Sequence, residues 1–439
     1  MTGSDGQACP SLRAIWLIRC NSETDGIVRM REAAHITCFP HNFCKFLYGI
    51  RTALCLPCGI SIRQAFLIEM KGSIVMTQHT FYMQRAIQLA KRGIGFVNPN
   101  PLVGAVIVKD GRIISEGWHA RYGDLHAERN ALKNCTADPT GATMYVTLEP
   151  CCHHGKQPPC TEAILKNGIQ RVYIGSRDPN PLVAGKGVAF LREHGVEVIT
   201  DFLREECDAL NPVFFRYITT KMPYTILKYA MTADGKIACA GGASQWVTGE
   251  TARAHVHQTR KRVAAICVGI GTVLADDPML NCRCENPSQP VRVVLDTRLR
   301  IPLTSRLVQT AKDIPVIVFT HQPDPEKCAA LETAGVTVLE APLEGAHVSI
   351  LECLAILGQH GLDSVLIEGG ASIHAAALQA GCADLVQVYL APKLFGGDGL
   401  SPIGSIGILT PAEAVLLSPP TITKLGEDLL LEYTRKDGA

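Results

Sequence analysis

The sequence has almost no net charge. Lys and Arg number 42 and Asp and Glu number 41, which gives a formal charge of +1. Nucleic-acid-binding domains usually carry a clear basic excess, so this balance argues against general nucleic-acid binding. With 47% hydrophobic and 19% charged residues, the chain can bury a sizeable core and is neither disordered nor collagen-like. Its 439 residues predict two or three domains.

The first 75 residues lack the features of a membrane or export segment. In their most apolar part the longest uncharged stretch, residues 52–62, is far shorter than the ~20 residues of a membrane-spanning helix. Asp5 is the only charge in residues 1–10, so a basic secretory start is missing. Cys55 and Cys58 have no second pair or nearby His to complete a zinc site. We expect residues 1–75 to be an extension that is disordered or not translated, with Met76 as the working start.

Periodic sequence begins after Met76. Apolar residues recur first at helical spacing and then in the alternating or continuous runs of strands. The expected elements are a helix over 80–92, strands over 103–108 and 112–117 joined by a turn at 109–111, a helix from 126 to 132, and a strand over 143–148.

One histidine and two cysteines have the pattern of a catalytic zinc site. His126-Ala-Glu128 opens the second predicted helix, and Cys151 and Cys160 follow the next strand. Three protein ligands leave a fourth tetrahedral position open for water, which separates a catalytic zinc from a structural one. Zinc lowers the pKa of bound water toward ~7, and Glu128 can carry the released proton to a ring nitrogen and then to departing ammonia. H-x-E followed by P-C…C is typical of zinc nucleobase deaminases.

Each of these residues alone is a weak signal, because His-Ala-Glu occurs by chance and cysteines are often buried apolar residues. Their joint occurrence within the expected strands and helices predicts the zinc site. The usual second spacing is C-x-x-C, whereas Cys151 and Cys160 are nine residues apart, and the loop between them can contribute polar groups to a substrate. Cys152 is an alternative ligand to Cys151, and Cys135 is expected to pack in the core.

The pattern changes near Met222 to regularly alternating strands and helices. This alternation predicts a parallel-rich sheet with helices on both faces. A short helix within 211–223 precedes the junction, and Thr248 is the expected N-cap of the first long helix. The expected strands cover 224–230, 264–269, 291–296, 316–320, 336–340, 364–368 and 385–391, and the expected helices cover 250–262, 325–334, 347–359 and 371–380.

Two glycine clusters follow strands in this second half. Residues 366–370 (Leu-Ile-Glu-Gly-Gly) run straight into a helix, whose N-terminal N–H groups could hold an anionic nucleotide group, and residues 268–272 form the second cluster. Because there is no G-x-G-x-x-G, ordinary Rossmann binding is not supported. Taken alone, either cluster is more often a tight turn than a cofactor site.

Several longer motifs resemble the bifunctional deaminase/reductase family of riboflavin biosynthesis. In the first half they are residues 98–104 (Asn-Pro-Asn-Pro-Leu-Val-Gly), 117–119 with Gly123, 126–128, 147–151 through 158–160, 178–181 and 183–187. In the second half they are Lys228 with Ala230, residues 234–236, 244–248, 272–278 and 368–370.

The resemblance covers Met76 to about Tyr433. It implies an α/β fold class in which a zinc cytidine-deaminase-like three-layer α/β/α domain over 76–221 precedes a dihydrofolate-reductase-like α/β domain over 222–439. It also implies two cofactors, zinc and NADPH. The first step would be hydrolytic deamination of 2,5-diamino-6-ribosylamino-4(3H)-pyrimidinone 5′-phosphate, and the second would be reduction of the ribosyl group of the product to ribityl.

The same resemblance assigns site residues in the second half. The NADPH contacts it implies are Ala230, Trp246, Thr272, Asp276, Gly370, Ala371, Ser372, Ile373, His374, Ala375 and Ala376. The substrate contacts it implies are Ser244, Arg260, Leu280, Arg283 and Glu368. The chemistry is compatible, because Arg260 and Arg283 suit a phosphate monoester and Glu368 suits ribityl hydroxyls. The alternative for Arg260 is a solvated charge on a helix that also carries Lys261 and Arg262. A supporting role of the Asp276 carboxylate in the reduction is a hypothesis to test, and no proton donor is assigned.

Two other functions compete with this interpretation. One is a zinc deaminase acting on RNA, which the near-neutral charge disfavours. The other is a non-catalytic, zinc-stabilised binding protein, for which Glu128 would have no role in turnover. The preferred interpretation predicts a small-molecule pyrimidine nucleotide substrate, no nucleic-acid or membrane partner, a homo-oligomer and a cytoplasmic location.

Overall fold

The computed structural model describes residues 78–155 and 157–435. The expectation for the extension over 1–75 therefore lies outside the described residues. Among the described residues, no helix combines the length and apolar character needed to cross a membrane.

The first half folds around a sheet with helices on both faces. Within the described residues its helices are α1 (78–90, continued by a 3₁₀ turn at Lys91–Gly93), α2 (Ala127–Lys133), α3 (Cys160–Lys166), α4 (Lys186–Glu193), α5 (Arg204–Asp208) and α6 (Pro212–Thr220). Its strands are β1 (Gly104–Lys109), β2 (Arg112–Trp118), β3 (Thr143–Leu148), β4 (Arg171–Ser176) and β5 (Glu197–Ile199). The sheet order is β2-β1-β3-β4-β5, with β3, β4 and β5 parallel to one another and β1 antiparallel to both of its neighbours.

Alternating residues of β1 divide the core of this half into two layers. Ala105 and Ile107 pack in one cluster with α2, α3 and α4, whereas Val106 and Val108 pack in another with α1. This period of two is the property of a strand that is covered on both faces. The expected three-layer arrangement is therefore present. The turn between β1 and β2 also forms as expected, because Asp110 and Gly111 both have positive φ.

The second half contains the expected parallel-rich sheet. Its strands are β6 (Tyr224–Thr232), β7 (Ala265–Gly269), β8 (Val291–Leu295), β9 (Val316–Thr320), β10 (Val336–Glu340), β11 (Leu343–Glu344), β12 (His347–Val348), β13 (Ser364–Gly369), β14 (Leu385–Ala391), β15 (Thr421–Leu425) and β16 (Asp428–Thr434). Its helices are α7 (Glu250–Arg262), α8 (Ile270–Asp276), α9 (Arg306–Gln309), α10 (Pro325–Thr333), α11 (Ile350–Gln359) and α12 (Ala371–Gln379), with a 3₁₀ turn at Pro411–Glu413.

The main sheet of this half has the order β10-β9-β8-β7-β13-β6-β14-β16-β15. The pairs from β10 to β14 are parallel, and β16 and β15 add two antiparallel pairs at one edge. Helices α11 and α12 cover one face, and α8, α9 and α10 cover the other. The predicted α/β alternation is confirmed, and the antiparallel edge is the part that the sequence pattern did not indicate.

Two local predictions in this half are wrong. Gly249, not Thr248, is the N-cap of α7, and the Gly249 N–H donates to Asp428 Oδ2 over 2.7 Å while Thr248 is buried. The acceptor of the Gly249 N–H is thus a carboxylate 179 residues away in the sequence. The helix expected from residue 347 begins instead at Ile350, because His347–Val348 pairs with Leu343–Glu344 in a short hairpin.

A buried polar contact joins the two halves. Asn98 Nδ2 donates to both carboxylate oxygens of Asp363, over 3.0 and 2.8 Å, and the Ser364 hydroxyl donates to Asp363 Oδ1 over 2.7 Å. Burial raises the pKa of Asp363, while the hydrogen bonds from Ser364 and Asn98 oppose that rise. Tyr217 adds a second contact by donating its hydroxyl proton to the Gly358 carbonyl over 2.9 Å.

Gly104 sets how closely α1 can approach β1. A Cβ at position 104 would lie 2.0 Å from the Ala86 carbonyl oxygen. We expect Gly104→Ala to lower the free energy of unfolding by about 1–3 kcal/mol or more, because the helix must move off the sheet. Urea denaturation followed by circular dichroism measures this change. Gly397→Ala is the control, since nothing lies within 4 Å of its Cβ position. Equal urea midpoints for the two variants would contradict the packing argument.

Candidate active sites

The three predicted zinc ligands meet at one point. His126 Nδ1 lies 3.5 Å from Cys151 Sγ and 3.4 Å from Cys160 Sγ. All three ligand atoms lie within 4.8 Å of one another. His126 is the N-cap of α2, Cys160 is the first residue of α3, and Cys151 lies in the loop after β3. The sequence prediction is therefore matched by a three-residue cluster built from two helix starts and one strand end.

Glu149 and Pro150 fix the loop that carries Cys151. The buried Glu149 carboxylate accepts the N–H groups of Gly185 and Val188, over 3.1 and 3.2 Å, at the start of α4. At Gly187 any Cβ would lie 2.2 Å from the Pro150 carbonyl oxygen, so glycine allows α4 to touch the loop. An acidic group at a helix N-terminus is electrostatically favourable, and here it anchors the metal-ligand loop.

The electrostatics of the cluster suit a cation and a proton carrier. The neighbouring Cys160 thiol, together with His126, holds the pKa of Cys151 well below its usual range, which favours the thiolate form that binds metals. Glu128 is 3% exposed, and burial, aided by the negative charge of Cys151, raises its pKa to about 7. A carboxyl group with a pKa near neutrality can both accept and release a proton.

Donor chemistry in this cluster fits zinc. One imidazole nitrogen and two thiol sulfurs are ligands that zinc prefers, and three protein ligands leave one tetrahedral position for a reactant. Cys152 is not part of the cluster, and its Sγ lies 4.0 Å from the Leu182 carbonyl oxygen. Cys135 packs half-buried against the core of the first half, as expected.

Three residues that sequence reasoning did not select support the cluster. His119 is buried, accepts from Asn100 Nδ2 over 3.1 Å, donates from Nδ1 to the Leu125 carbonyl over 3.0 Å, and packs edge-on against the His126 ring. Arg129 donates to the carbonyls of Pro158 and Pro159, over 2.9 and 2.7 Å, just before Cys160. Asn100 and His119 lie within the sequence motifs 98–104 and 117–119, whereas no sequence motif indicated a role for Arg129.

In the second half, two predicted substrate residues form one ion pair. Arg260 donates through Nε and Nη2 to the two carboxylate oxygens of Glu368, over 2.7 Å each. Both side chains are largely buried, with 13% and 6% exposed. Burial acts to raise the pKa of Glu368, but Arg260 and Lys228 outweigh it and hold that pKa well below its usual range. Arg260 is therefore not a solvated surface charge.

Asn281 and His257 connect this ion pair to Arg283. Arg260 Nη1 donates to the Asn281 carbonyl over 2.8 Å, and Arg283 Nη1 donates to Asn281 Oδ1 over 3.1 Å. The Arg283 backbone N–H donates to His257 Nδ1 over 3.3 Å. Burial, followed by the charges of Arg260 and Arg283, lowers the pKa of His257 to about 4, which keeps the ring neutral. The Arg283 side chain is exposed, so its guanidinium is open to a ligand.

Lys228 is a further cation at this site that was not predicted as a contact. It lies on β6, and its Nζ is 5.5 Å from the centre of the Tyr389 ring. Burial lowers the pKa of Lys228, and the charge of Glu368 opposes that effect. Leu280, another expected substrate contact, is buried with a φ of 48°, whereas Ser244 is half-buried.

The two glycine clusters face each other across adjacent parallel strands. Gly269 ends β7 and Gly369 ends β13, and a Cβ on Gly369 would lie 3.0 Å from Thr272 Oγ1. Gly370 is the N-cap of α12 and has a φ of +96°, a conformation that favours glycine. At Gly271 nothing lies within 4 Å of the Cβ position. Glycines without side chains at the carboxyl ends of two adjacent strands leave room for a dinucleotide phosphate group to approach the backbone N–H groups.

Other expected NADPH contacts differ in their exposure. Trp246 is 59% exposed, and the centre of its ring lies 4.7 Å from the guanidinium carbon of Arg253. Asp276 is also exposed. Ala230 is half-buried on β6. Along residues 370–376, the side chains of Ile373, His374 and Ala375 are buried, and His374 Nδ1 donates to the Pro402 carbonyl over 2.8 Å. The more accessible members of that segment are Gly370, Ala371, Ser372 and Ala376.

Two families match consecutive parts of the chain. Residues 76–176 match the cytidine and deoxycytidylate deaminase zinc-binding region, and residues 223–431 match the RibD C-terminal domain. The riboflavin biosynthesis protein RibD of Actinobacillus pleuropneumoniae is 53% identical over 353 residues, which cover 80% of this chain and 94% of that protein. The corresponding protein of Escherichia coli K12 is 38% identical over 81% of this chain and 98% of its own length.

Solved structures give the same result. A deaminase/reductase from Thermotoga maritima is 40% identical, with a TM-score of 0.73 over 82% of this chain and 99% of that one. Acinetobacter baumannii RibD is 38% identical, with a TM-score of 0.74 over 82% of this chain and all of that one. The resemblance, the α/β fold class, the bifunctional activity and the cofactors zinc and NADPH, all expected from sequence, are confirmed. The chain belongs to the RibD family of bifunctional deaminase/reductase enzymes of riboflavin biosynthesis.

Proposed function

We propose that the two sites act in succession on one pyrimidine nucleotide. The first half deaminates 2,5-diamino-6-ribosylamino-4(3H)-pyrimidinone 5′-phosphate. The second half reduces the ribosyl group of 5-amino-6-(5-phosphoribosylamino)uracil to ribityl. The Thermotoga relative is described as a diaminohydroxyphosphoribosylaminopyrimidine deaminase and 5-amino-6-(5-phosphoribosylamino)uracil reductase, which supports these substrates. The observation that carries the proposal is the meeting of His126, Cys151 and Cys160 beside the buried Glu128.

In the deaminase half, His126, Cys151 and Cys160 hold the metal and Glu128 moves protons. Zinc, when bound, supplies a Lewis acid that makes water reactive at neutral pH. Glu128 accepts the first proton of the attacking water and passes it to the ring nitrogen next to the carbon under attack. It then accepts the remaining hydroxyl proton of the adduct and delivers it to the amino group, so that the carbon–nitrogen bond breaks and ammonia leaves. Arg129 keeps the segment before Cys160 in place, and Glu149 does the same for the loop that carries Cys151.

In the reductase half, positioning is the main task of the protein. NADPH, when bound, would supply the hydride for C1′ of the opened ribosyl group. Arg283, which is exposed, binds the phosphate, and Arg260 orients Glu368 so that its carboxylate accepts hydroxyl groups of the sugar. Ser244 and Leu280 complete the substrate contacts. Asp276 remains the carboxylate to test for a supporting role.

NADPH lies against the two glycine clusters in this proposal. The backbone at Gly370, Ala371 and Ser372 would hold an anionic group of the cofactor at the start of α12, and Thr272 and Trp246 would be further contacts. Ala230, Asp276 and Ala376 are further contacts. Ile373, His374 and Ala375 are also expected contacts, and because their side chains are buried they would meet the cofactor through the backbone.

The division into domains stays a proposal. Residues 76–221 form the deaminase and residues 222–439 the reductase, which agrees with the end of α6 at Thr220 and the start of β6 at Tyr224. We also propose a homo-oligomer. Exposed apolar side chains, among them Ile422 on the edge strand β15 at 62% and Leu409 at 88% exposure, support an interface between copies.

A cytoplasmic location is supported by the free thiols. The described residues contain 12 free cysteines, which suits a reducing compartment. The near-neutral charge disfavours a nucleic-acid substrate. Ammonia release from free nucleotide and from RNA distinguishes the proposed function from an RNA deaminase.

Glu128→Gln tests the proton carrier. We expect ammonia release to fall by about 10²–10⁴-fold while zinc content is unchanged, because the amide cannot transfer a proton. Product analysis and metal analysis of the same sample measure both quantities. Glu162→Gln, on the exposed side of α3, is the matched control and should deaminate at the normal rate. Normal deamination by Glu128→Gln would favour the non-catalytic alternative.

Single Cys→Ser changes separate the two candidate ligands at positions 151 and 152. Loss of a group that hydrogen-bonds to a metal ligand lowers metal affinity by about 10–100-fold. Cys151→Ser and Cys160→Ser change a ligand itself, so we expect a larger loss of zinc affinity. Cys152→Ser should keep its zinc, since this thiol lies outside the cluster. Zinc retention during titration with a chelator measures the difference. Loss of zinc from the Cys152 variant alone would reverse the assignment.

Arg260→Lys tests the reductase ion pair. Lysine keeps the charge but cannot make the two parallel bonds to Glu368. We expect KM for the deaminated nucleotide to rise by about 10–100-fold, the effect of losing a charge-assisted bond, with NADPH affinity unchanged. Initial rates of NADPH oxidation measure the KM, and a separate binding titration measures the NADPH affinity. Arg262→Lys, exposed on the same helix, is the control, and equal KM values in the two variants would reject the role of Arg260.

A further inference from the structure

A second pair of thiols lies in contact outside the zinc cluster. Cys282 Sγ and Cys284 Sγ are 3.2 Å apart, and neither cysteine is in a disulfide. Cys282 is 2% exposed, whereas Cys284 is only half-buried. A disulfide needs a sulfur–sulfur distance of about 2.05 Å, so a small movement of one loop brings the pair to bonding distance.

The pair flanks Arg283, the residue proposed to bind the substrate phosphate. Gln289 fixes the backbone of Cys282 on both sides, because its Oε1 accepts the Cys282 N–H and its Nε2 donates to the Cys282 carbonyl, over 2.9 Å each. The Cys282 thiol donates to the His257 carbonyl over 3.3 Å. Cys282 is thus held firmly. The movement that joins the sulfurs must come from Cys284 and Arg283.

We propose that Cys282 and Cys284 form a reversible oxidative modification site, at which a low-molecular-weight disulfide converts the two thiols into an intramolecular disulfide that displaces Arg283. The effect on Arg283 rests on the function proposed above, whereas the thiol chemistry does not. Disulfides in cytosolic proteins are usually transient and often sense redox state.

The exchange balances in two steps. The more exposed Cys284, as thiolate, attacks one sulfur of the small disulfide, forms a mixed disulfide and releases one thiolate. Cys282 then gives up its proton and attacks the Cys284 sulfur, which releases the second thiolate. The protein loses two electrons and two protons, and the small disulfide gains them as two thiols.

Ring closure changes the backbone at Arg283. The Arg283 N–H bond to His257 and the guanidinium bond to Asn281 both depend on the present course of this segment. In the oxidised chain Arg283 can no longer meet a phosphate placed beside Glu368. We expect KM of the reductase step to rise about tenfold, as for loss of one charge-assisted hydrogen bond. The deaminase rate should not change.

Oxidised glutathione is the probe, applied to the zinc-loaded full chain. After acid quenching, denaturation, alkylation and cleavage at glutamate, the fragment over residues 251–285 should carry one alkyl group, on Cys267. Cys282 and Cys284 should be unalkylated and together lighter by two hydrogen atoms. Cys328→Ser, a change at a half-buried thiol on α10, should give the same fragment, whereas Cys284→Ser should not. Alkylation of both thiols, or glutathione retained on Cys284, would overturn the proposal.

Kinetics on the same samples test the consequence. Wild type and Cys328→Ser should show the rise in KM, dithiothreitol should reverse it, and Cys284→Ser should resist it. A rise of equal size in Cys284→Ser, or a normal KM in fully oxidised wild type, would reject the displacement of Arg283. If the untreated chain does not reduce the nucleotide at all, the proposed function fails, and the mass measurement still decides whether the disulfide forms.

Discussion

Parallel strand pairing is the constraint on which both sites depend. Adjacent parallel strands end at the same edge of a sheet, so the loops that follow them meet there. In the first half β3 pairs in parallel with β4, and the loop after β3 brings Cys151 to the start of α3. In the second half β13 lies between β6 and β7, and its end carries Glu368 and Gly370. The order and direction of the strands therefore decide which site residues come together in each half.

The main feature of the second site is a buried ion pair. The Arg260–Glu368 pair is largely removed from water and is surrounded by Lys228, Arg283 and His257. Such a pair is costly to bury and contributes little net stability, whereas loss of one partner leaves the other charge unpaired. Its presence is therefore better explained by binding than by folding. The neutral state of His257 adds no further positive charge to a site already rich in cations.

The sequence predicted the parts of each site that depend on short spacing. His126, Glu128, Cys151 and Cys160 lie within one stretch, and the three expected metal ligands among them meet in one cluster. His257 and Asn281 were missed because their roles depend on where α7 and the segment after α8 meet. The contact of the α7 N-cap was missed for the same reason, since Asp428, which accepts the Gly249 N–H, lies near the end of the chain.

The bond between Asn98 and Asp363 has a consequence for how this chain can evolve. Asn98 belongs to a motif of the deaminase half, yet its amide group satisfies a carboxylate at the start of a reductase strand. An apolar residue at 98 would leave that carboxylate buried with fewer donors, and a change at 363 would leave the amide without its acceptor. The two positions are expected to vary together among homologues. A substitution in the deaminase half can therefore restrict which residues are tolerated in the reductase half.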